Sequence, residues 1–258
     1  MVDSIARGLF QLFEPIAVVA YMAPEPTASV MALGLDNVWD AYFAGRAAPL
    51  GREVPASVVN ALFHNFADGE VERHIPRVWD TVTPEAANAA REQGSVATLR
   101  RILGDLADTS GVPRAAELLT RAGTSARTEG RALYAAVRTL PVPVEPVARL
   151  WHGANLLREH RGDGHVAGLL TTGIGGTEAH VLHALSEGMP AESFGRVSHL
   201  PPAQLAAVVD GMRAPVASSA PTAGSPPPAG KPRNGSKRSP TNSPPRPTTY
   251  PHRTNSTN

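Results

Sequence analysis

LWHGANLLREHRGDGHVAGLLTTGIGGTEAHVLHALSE, residues 150–187, decides how this chain is read. Its apolar residues recur at helical spacing, with Leu150, Ala154 and Leu157 on one face and Arg161 one turn further on. Gly162 stands where a helix-ending glycine would, and Asp163 then reads as the N-cap of another helix running to about Thr172. Residues 173–176 form a second break, and Thr177 opens a helix with Val181, Leu182 and Leu185 inward. Five of the nine histidines fall in this stretch, together with Arg158, Glu159, Arg161, Asp163 and Glu178. On this reading His152, Glu159 and His160 share one helix and Asp163 and His165 open the next. All five would converge at a corner around Gly162.

Three chemistries compete for that corner. His160, Asp163 and His165 offer a carboxylate–histidine site for acid–base work, with His152 as a further proton-transfer candidate. His160 and His165 are five positions apart, which is not the one-turn spacing that sets two imidazoles on one helical face, so no metal is expected. Alternatively, Arg158 and Arg161, with the free N–H groups of a helix start, form an anion pocket. The plainest reading is an Arg–Glu–His–Asp hydrogen-bond network that locks a helix corner.

Upstream, the same helical periodicity continues. The first 21 residues read as a helix with Leu9, Phe10, Leu12 and Phe13 apolar and a break or kink at Glu14-Pro15. Residues 21–26, YMAPEP, read as a turn, residues 28–34 as a short helix, and Asp36 as the cap of a helix carrying Trp39, Tyr42 and Phe43. Residues 44–51, AGRAAPLG, form a small-residue corner containing Arg46, placed to hold helix carbonyls or a ligand carboxylate. Leu62, Phe63 and Phe66 are expected inside, with His64 between aromatics. Thr83 and Pro84 mark the start of a long helix. No stretch alternates as a strand would, so the expected fold class is all-α.

Composition narrows the setting. There are no cysteines, which excludes disulfides and thiolate metal sites and fits a cytoplasmic protein. The longest apolar run, near residues 16–22, is far too short to span a bilayer, so no membrane is expected. The net charge of +1 is split along the chain. In residues 1–213, 18 arginines against 23 acids leave −5, whereas residues 214–258 carry +6 and no acid. A negative body is a poor match for the DNA backbone, whose affinity comes mostly from phosphate neutralisation.

Downstream, helix 177–187, an intervening segment and helix 202–213 have a helix-turn-helix layout. The second helix turns Leu205, Val208, Val209 and Met212 inward, and its exposed face offers only Gln204, Asp210 and Arg213. YMAPE (residues 21–25), YFAGRAAPLG (42–51) and LWHGANLLREHRGDGHVAGLL (150–170) resemble the SalK-like helix-turn-helix family of actinobacteria, over about residues 5–213. The resemblance implies a helical bundle at 1–140, a winged-helix-like region at 147–213 and, beyond it, a β-wing and a charged helix. It supplies no catalytic residues, and its label describes a fold. The wing is missing. Residues 214–258 are a Pro/Ser/Thr/Asn-rich basic tail with no core-forming pattern, expected to be disordered. The tail reads as out of frame, because a shifted frame with G+C-rich third bases permits GADGWLTAAGRQATKRIEALTDELA, a turn, wing strand and amphipathic helix.

Two function classes follow. One is a ligand-sensing regulator on a winged-helix scaffold, with a small molecule and DNA as partners and a homodimer as its form. The other is an enzyme or accessory protein of secondary metabolism. Either would use a pocket lined by Tyr21, Tyr42, Arg46, His64, Trp151, Arg158, Glu159 and Arg161, with His152, His160, Asp163 and His165 as catalytic candidates. No motif names a cofactor.

Overall fold

Helix α1 (Val2–Met22) runs unbroken through Pro15, and α2 (Pro24–Met31) follows after one residue with proline in its first turn. The structure, a computed structural model, describes residues 2–193 and 200–213, and among them there is no strand. Helix α3 (Val38–Ala47) is capped by Asn37 and not by Asp36: the Asn37 side chain accepts from the N–H groups of Trp39 and Asp40 at 3.0 and 2.9 Å. After α4 (Ala56–Phe63) come two short 3-10 turns, Val71–Arg73 and Arg77–Asp80. The 3-10 turns put Val71, Val78 and Trp79 into the core.

Helix α5 (Pro84–Leu103) begins as the sequence indicates, with Thr83 Oγ1 accepting from Ala86 N–H at 3.2 Å. Its inner face is made of small residues, Ala87, Ala90, Gly94, Ser95 and Thr98, with Arg91 among them. Helices α6 (Gly111–Ser125) and α7 (Ala132–Val137) lead to α8 (Pro146–Thr171). Glu145 caps α8 by accepting from Ala148 N–H at 2.6 Å.

Helix α8 corrects the expected corner. It is one helix of 26 residues, roughly 39 Å long at the usual rise. Gly162 does not end it and Asp163 does not cap its continuation. The Asp163 carboxylate instead accepts from the backbone N–H of Tyr134 at 2.9 Å, in the first turn of α7. Arg131, just before α7, donates to the His160 carbonyl. A Cβ on Gly164 would lie 2.6 Å from the Arg131 guanidinium, so this glycine makes room for a neighbour and is no stop signal. The same logic brings α6 and α8 together, because a Cβ on Gly123 would lie 2.8 Å from Leu156 and one on Gly153 2.7 Å from Thr120 N.

The break at Gly173, in the left-handed region at φ +73°, is real, and α9 (Gly176–Ser186) follows it. On α9 the inward residues are Ala179, His180, Val181 and Ala184, while Leu182 and Leu185 are exposed. A 3-10 turn, Ala191–Ser193, and α10 (Pro202–Arg213) complete the described chain. Leu205, Val208, Val209 and Met212 on α10 are half-buried, and no α10 residue is fully buried. The tail, residues 214–258, and the wing's place after α10 lie outside the described residues.

Residues Met1–Pro215 form one compact unit. One core gathers Phe43, Phe63, Phe66, Ile75 and Trp79. A second joins Val19 of α1, Leu99 of α5 and Ala116 of α6 to Val147, Leu150 and Trp151 of α8. Helices 1–140 and the start of 147–213 therefore share buried surface. Helix α1 also contains, at Ile5–Met22, an 18-residue stretch of mean hydropathy 1.3, long and apolar enough to cross a membrane although its longest unbroken apolar run is short. Ala17, Val19 and Ala20 in it are buried against the protein, whereas Ile5, Leu9, Leu12 and Met22 are exposed.

Candidate functional site

Where α1, α3, α5 and α8 meet, the chain buries a set of charges. Tyr21 stands in the last turn of α1, Tyr42 and Arg46 lie one turn apart on α3, Arg91 comes from α5, and Arg158 and Glu159 are neighbours on α8. Glu159, 2 % exposed, is the hub. It accepts from Tyr21 Oη at 3.2 Å and pairs with Arg46 at 3.5 Å and Arg158 at 3.4 Å. Arg158 also reaches Glu14 on α1 at 3.2 Å. Arg91 donates to the Tyr21 oxygen at 2.6 Å, and Arg46 to Tyr42 Oη at 2.7 Å.

Aromatic faces line the cations. The Arg46 guanidinium lies 4.1 Å from the Phe63 ring centroid, Arg158 lies 4.6 Å from Tyr21, and Arg91 lies between Tyr21 and Trp151 at 5.0 and 5.2 Å. These distances are in the range for cation–π attraction.

Electrostatics explains how the hub stays charged. Burial alone would push the Glu159 carboxyl up, and Arg46, Arg158 and Arg91 reverse this and hold it below the usual carboxylate range. Burial raises the Tyr21 phenol, so it stays protonated and can donate to Glu159 while accepting from Arg91. For Arg46, burial acts against the charge, but Tyr42 and Glu159 outweigh it and its pKa rises. The arrangement therefore contains three guanidiniums, two carboxylates and two phenols. Arg46 Nε and Trp151 Nε1 are buried without a hydrogen-bond partner.

The structure thus brings together Tyr21, Tyr42, Arg46, Trp151, Arg158 and Glu159 from the expected pocket and leaves others elsewhere. Arg161 is 41 % exposed at its side chain, 3.8 Å from Glu14 and over the Phe10 ring. His64 ends α4 at φ 58°, its Nε2 3.2 Å from the Ile174 carbonyl, and lines a separate cleft of about 430 Å³ beside Gly176 and Val208. His160 meets Tyr134 edge to face at 5.0 Å, and burial and then Arg131 lower its pKa. His152 is 3 % exposed, and burial takes its pKa down to about 4. His165 is exposed, and Asp163 is occupied by the α7 backbone. Among the described residues no three ligating side chains are grouped to hold a metal ion.

Sequence reasoning missed Arg91 and Glu14. A signal for Arg91 was present: it is the one charged residue on the Ala87–Thr98 face of α5, whose other positions are Ala, Gly, Ser or Thr. An arginine on a small-residue face is placed to be buried. Beside Arg91, between the end of α1 and α2, α3 and α5, lies a cavity of about 170 Å³.

Comparison with known proteins gives a family. Residues 6–231 match a helix-turn-helix family, most of the 258-residue chain, and the protein belongs to it. No curated protein and no solved structure matches.

Proposed function

With helix-turn-helix membership as the premise, we propose that the protein is a cytoplasmic regulator that senses a small anionic ligand. Its sensor is the cluster of Tyr21, Tyr42, Arg46, Arg91, Arg158 and Glu159. The observation that carries this reading is the excess of buried guanidiniums over carboxylates beside a cavity. Stability alone gives no reason for it, since apolar side chains of similar volume in place of buried ion pairs are often neutral or stabilising. A site that receives an anion does give a reason.

The region after α8 would carry the output. On the described helices α9 and α10 the exposed charges are sparse: Arg213 is already 3.3 Å from Asp210, and residues 1–213 bear −5. Contact with DNA through this end would therefore be weak, with a shallow dependence of affinity on salt. The enzyme reading has less support, because His160 packs on Tyr134 and Asp163 serves α7. On its motifs we assign the chain to the SalK-like branch of actinobacteria. We attribute its tail to a frame change near the codons for residues 213–218, which sequencing of close relatives tests; an in-frame tail there removes the idea.

The test of function is a thermal-shift panel of carboxylates, phosphates and nucleotides on the full chain. It is followed by duplex-DNA binding at about 50 mM and about 200 mM salt, with and without the best anion. One anion class should raise Tm and change the DNA affinity. No anion raising Tm beyond an inorganic-salt control would overturn the sensor.

A further inference from the structure

The 170 Å³ cavity has one ionised group in its wall, Arg91. The other wall residues are apolar or neutral: Val30, Ala41 and Pro26, the Trp39 ring, and Tyr21 and Tyr42 with ring centroids 5.7 Å apart. Arg91 differs from the other two arginines of the cluster. Arg46 and Arg158 each have a carboxylate within 3.5 Å, whereas among the described residues none lies within ion-pair distance of Arg91. It is nevertheless 5 % exposed, and its stem passes Gly45 so closely that a Cβ there would lie 3.0 Å from Arg91 Cδ. The fold makes room for this guanidinium at the cavity wall, where Glu159 acts on it only from beyond ion-pair contact.

The cavity specifies the anion's chemistry. One guanidinium without a contact carboxylate matches one negative charge, and its planar fork suits a carboxylate. A phosphate dianion would call for more donors than Arg91 and the Tyr21 and Tyr42 hydroxyls supply. Aromatic walls favour a flat apolar body that stacks or meets ring edges. A volume of 170 Å³ is below the roughly 300–1,000 Å³ of sites for drug-sized molecules, so the body is about one ring. We propose that this cavity binds a one-ring aromatic monocarboxylate, its carboxylate on Arg91 and its ring against Trp39 and Val30. The proposal rests on the anion-sensing reading and names its ligand class. Because Arg91 and Glu159 both hydrogen-bond the Tyr21 hydroxyl, the ligand would act directly on α8.

The experiment is calorimetric titration of the full chain with benzoate and 4-hydroxybenzoate, with benzamide and inorganic phosphate as controls. Tryptophan fluorescence is followed in parallel, with Trp39→Phe to isolate the Trp39 signal from Trp79 and Trp151. At least one acid should bind saturably at one site per chain, with benzamide and phosphate at least tenfold weaker. Arg91→Met, its fold checked by circular dichroism, should lose tenfold or more, as expected for one charge-assisted pair. Val38 is 56 % exposed at the cavity wall, so Val38→Trp keeps the fold and should also weaken binding at least tenfold. Equal binding of benzamide, unchanged binding in either variant, or no saturable binding of either acid overturns the proposal. If the acids fail while another anion raises Tm, only the ligand class falls; if no anion acts, the sensor falls with it.

Discussion

Helix α3 contributes to two buried charge networks, and they are built differently. Asp40, 1 % exposed, accepts from Asn37 Nδ2 at 2.5 Å and from Arg77 Nη2 at 2.6 Å, and its Oδ1 lies 2.7 Å from His74 Nδ1. His74 continues towards Glu70 at 3.7 Å and stacks on Phe43 at 4.7 Å. Burial would raise the Asp40 carboxyl, but the hydrogen bonds from His74 and Arg77 hold it below its ordinary value. Here one arginine and one histidine face two carboxylates. Two turns along α3, Arg46 belongs to a cluster with surplus positive charge, a partnerless Nε and a cavity beside it. The closed network ties α3 to the 70–77 segment. The open one retains donor capacity that folding does not use, which is the condition for binding something else.

The sharpest break between them comes from cutting the closed one. His74→Leu takes from buried Asp40 its 2.7 Å contact with the imidazole and should cost about 3–5 kcal/mol, measured by urea unfolding. A loss below about 1 kcal/mol would mean that this network is as dispensable as a surface pair.

Acid separates the buried groups by pH. His152 has a folded pKa of about 4 against an ordinary 6.5, so between these values the unfolded chain takes up a proton that the folded chain does not. Its contribution to stability is complete above pH 6.5 and falls as the pH drops towards 4, by about 3 kcal/mol in all. Asp40 acts lower: its folded pKa lies below 3.8, so its contribution is present above 3.8 and lost as the pH falls through the folded value. His152→Gln should therefore flatten the pH 6.5–4 slope and leave the steeper acid loss in place. The residual slope belongs to His160 and His165, whose pKa values are also lowered. An unchanged slope in the variant would contradict the assignment.

The two networks also differ in how far the sequence revealed them. The all-helical class, the Thr83 cap and the Gly173 break follow from local spacing, and local spacing is what a sequence displays. Tyr21, Tyr42, Arg46, Arg158 and Glu159 were legible as site candidates because polar and aromatic groups are concentrated in short motifs. Asp40 and His74, 34 residues apart, have no such neighbourhood, and only the fold pairs them. Gly162 and Asp163 misled for a related reason. Both have the identity of helix punctuation, yet α8 continues past them, and the groups that occupy the neighbouring polar contacts, Tyr134 N–H and Arg131, come from about thirty residues upstream. On α9 Val181 is inward as expected, but the buried face is turned away from Leu182 and Leu185. His180 goes inside, its Nε2 2.9 Å from the Ala191 carbonyl, which leaves Leu182 and Leu185 outward.

Removing charge from the open cluster should cost far less than cutting the closed one. Arg91→Met discards a guanidinium without an ion-pair partner and keeps most of its volume against Tyr21 and Trp151. Its stability should stay within about 1 kcal/mol of the parent or rise, as when apolar residues replace buried charges. A loss of 3 kcal/mol or more would show Arg91 to be structural, and the contrast with His74 would disappear.

The smallest expected effect sets the scale for both. Arg213 and Asp210 pair at 3.3 Å on α10 with side chains 76 % and 74 % exposed, so Arg213→Ala should move stability by less than about 0.5 kcal/mol. The same substitution asks whether α10 touches DNA. If Arg213 neutralises one phosphate, its loss lowers the slope of log affinity against log salt by about one, while a residue fully engaged with Asp210 leaves the slope unchanged. An unchanged slope would move the search for the DNA contact away from α10.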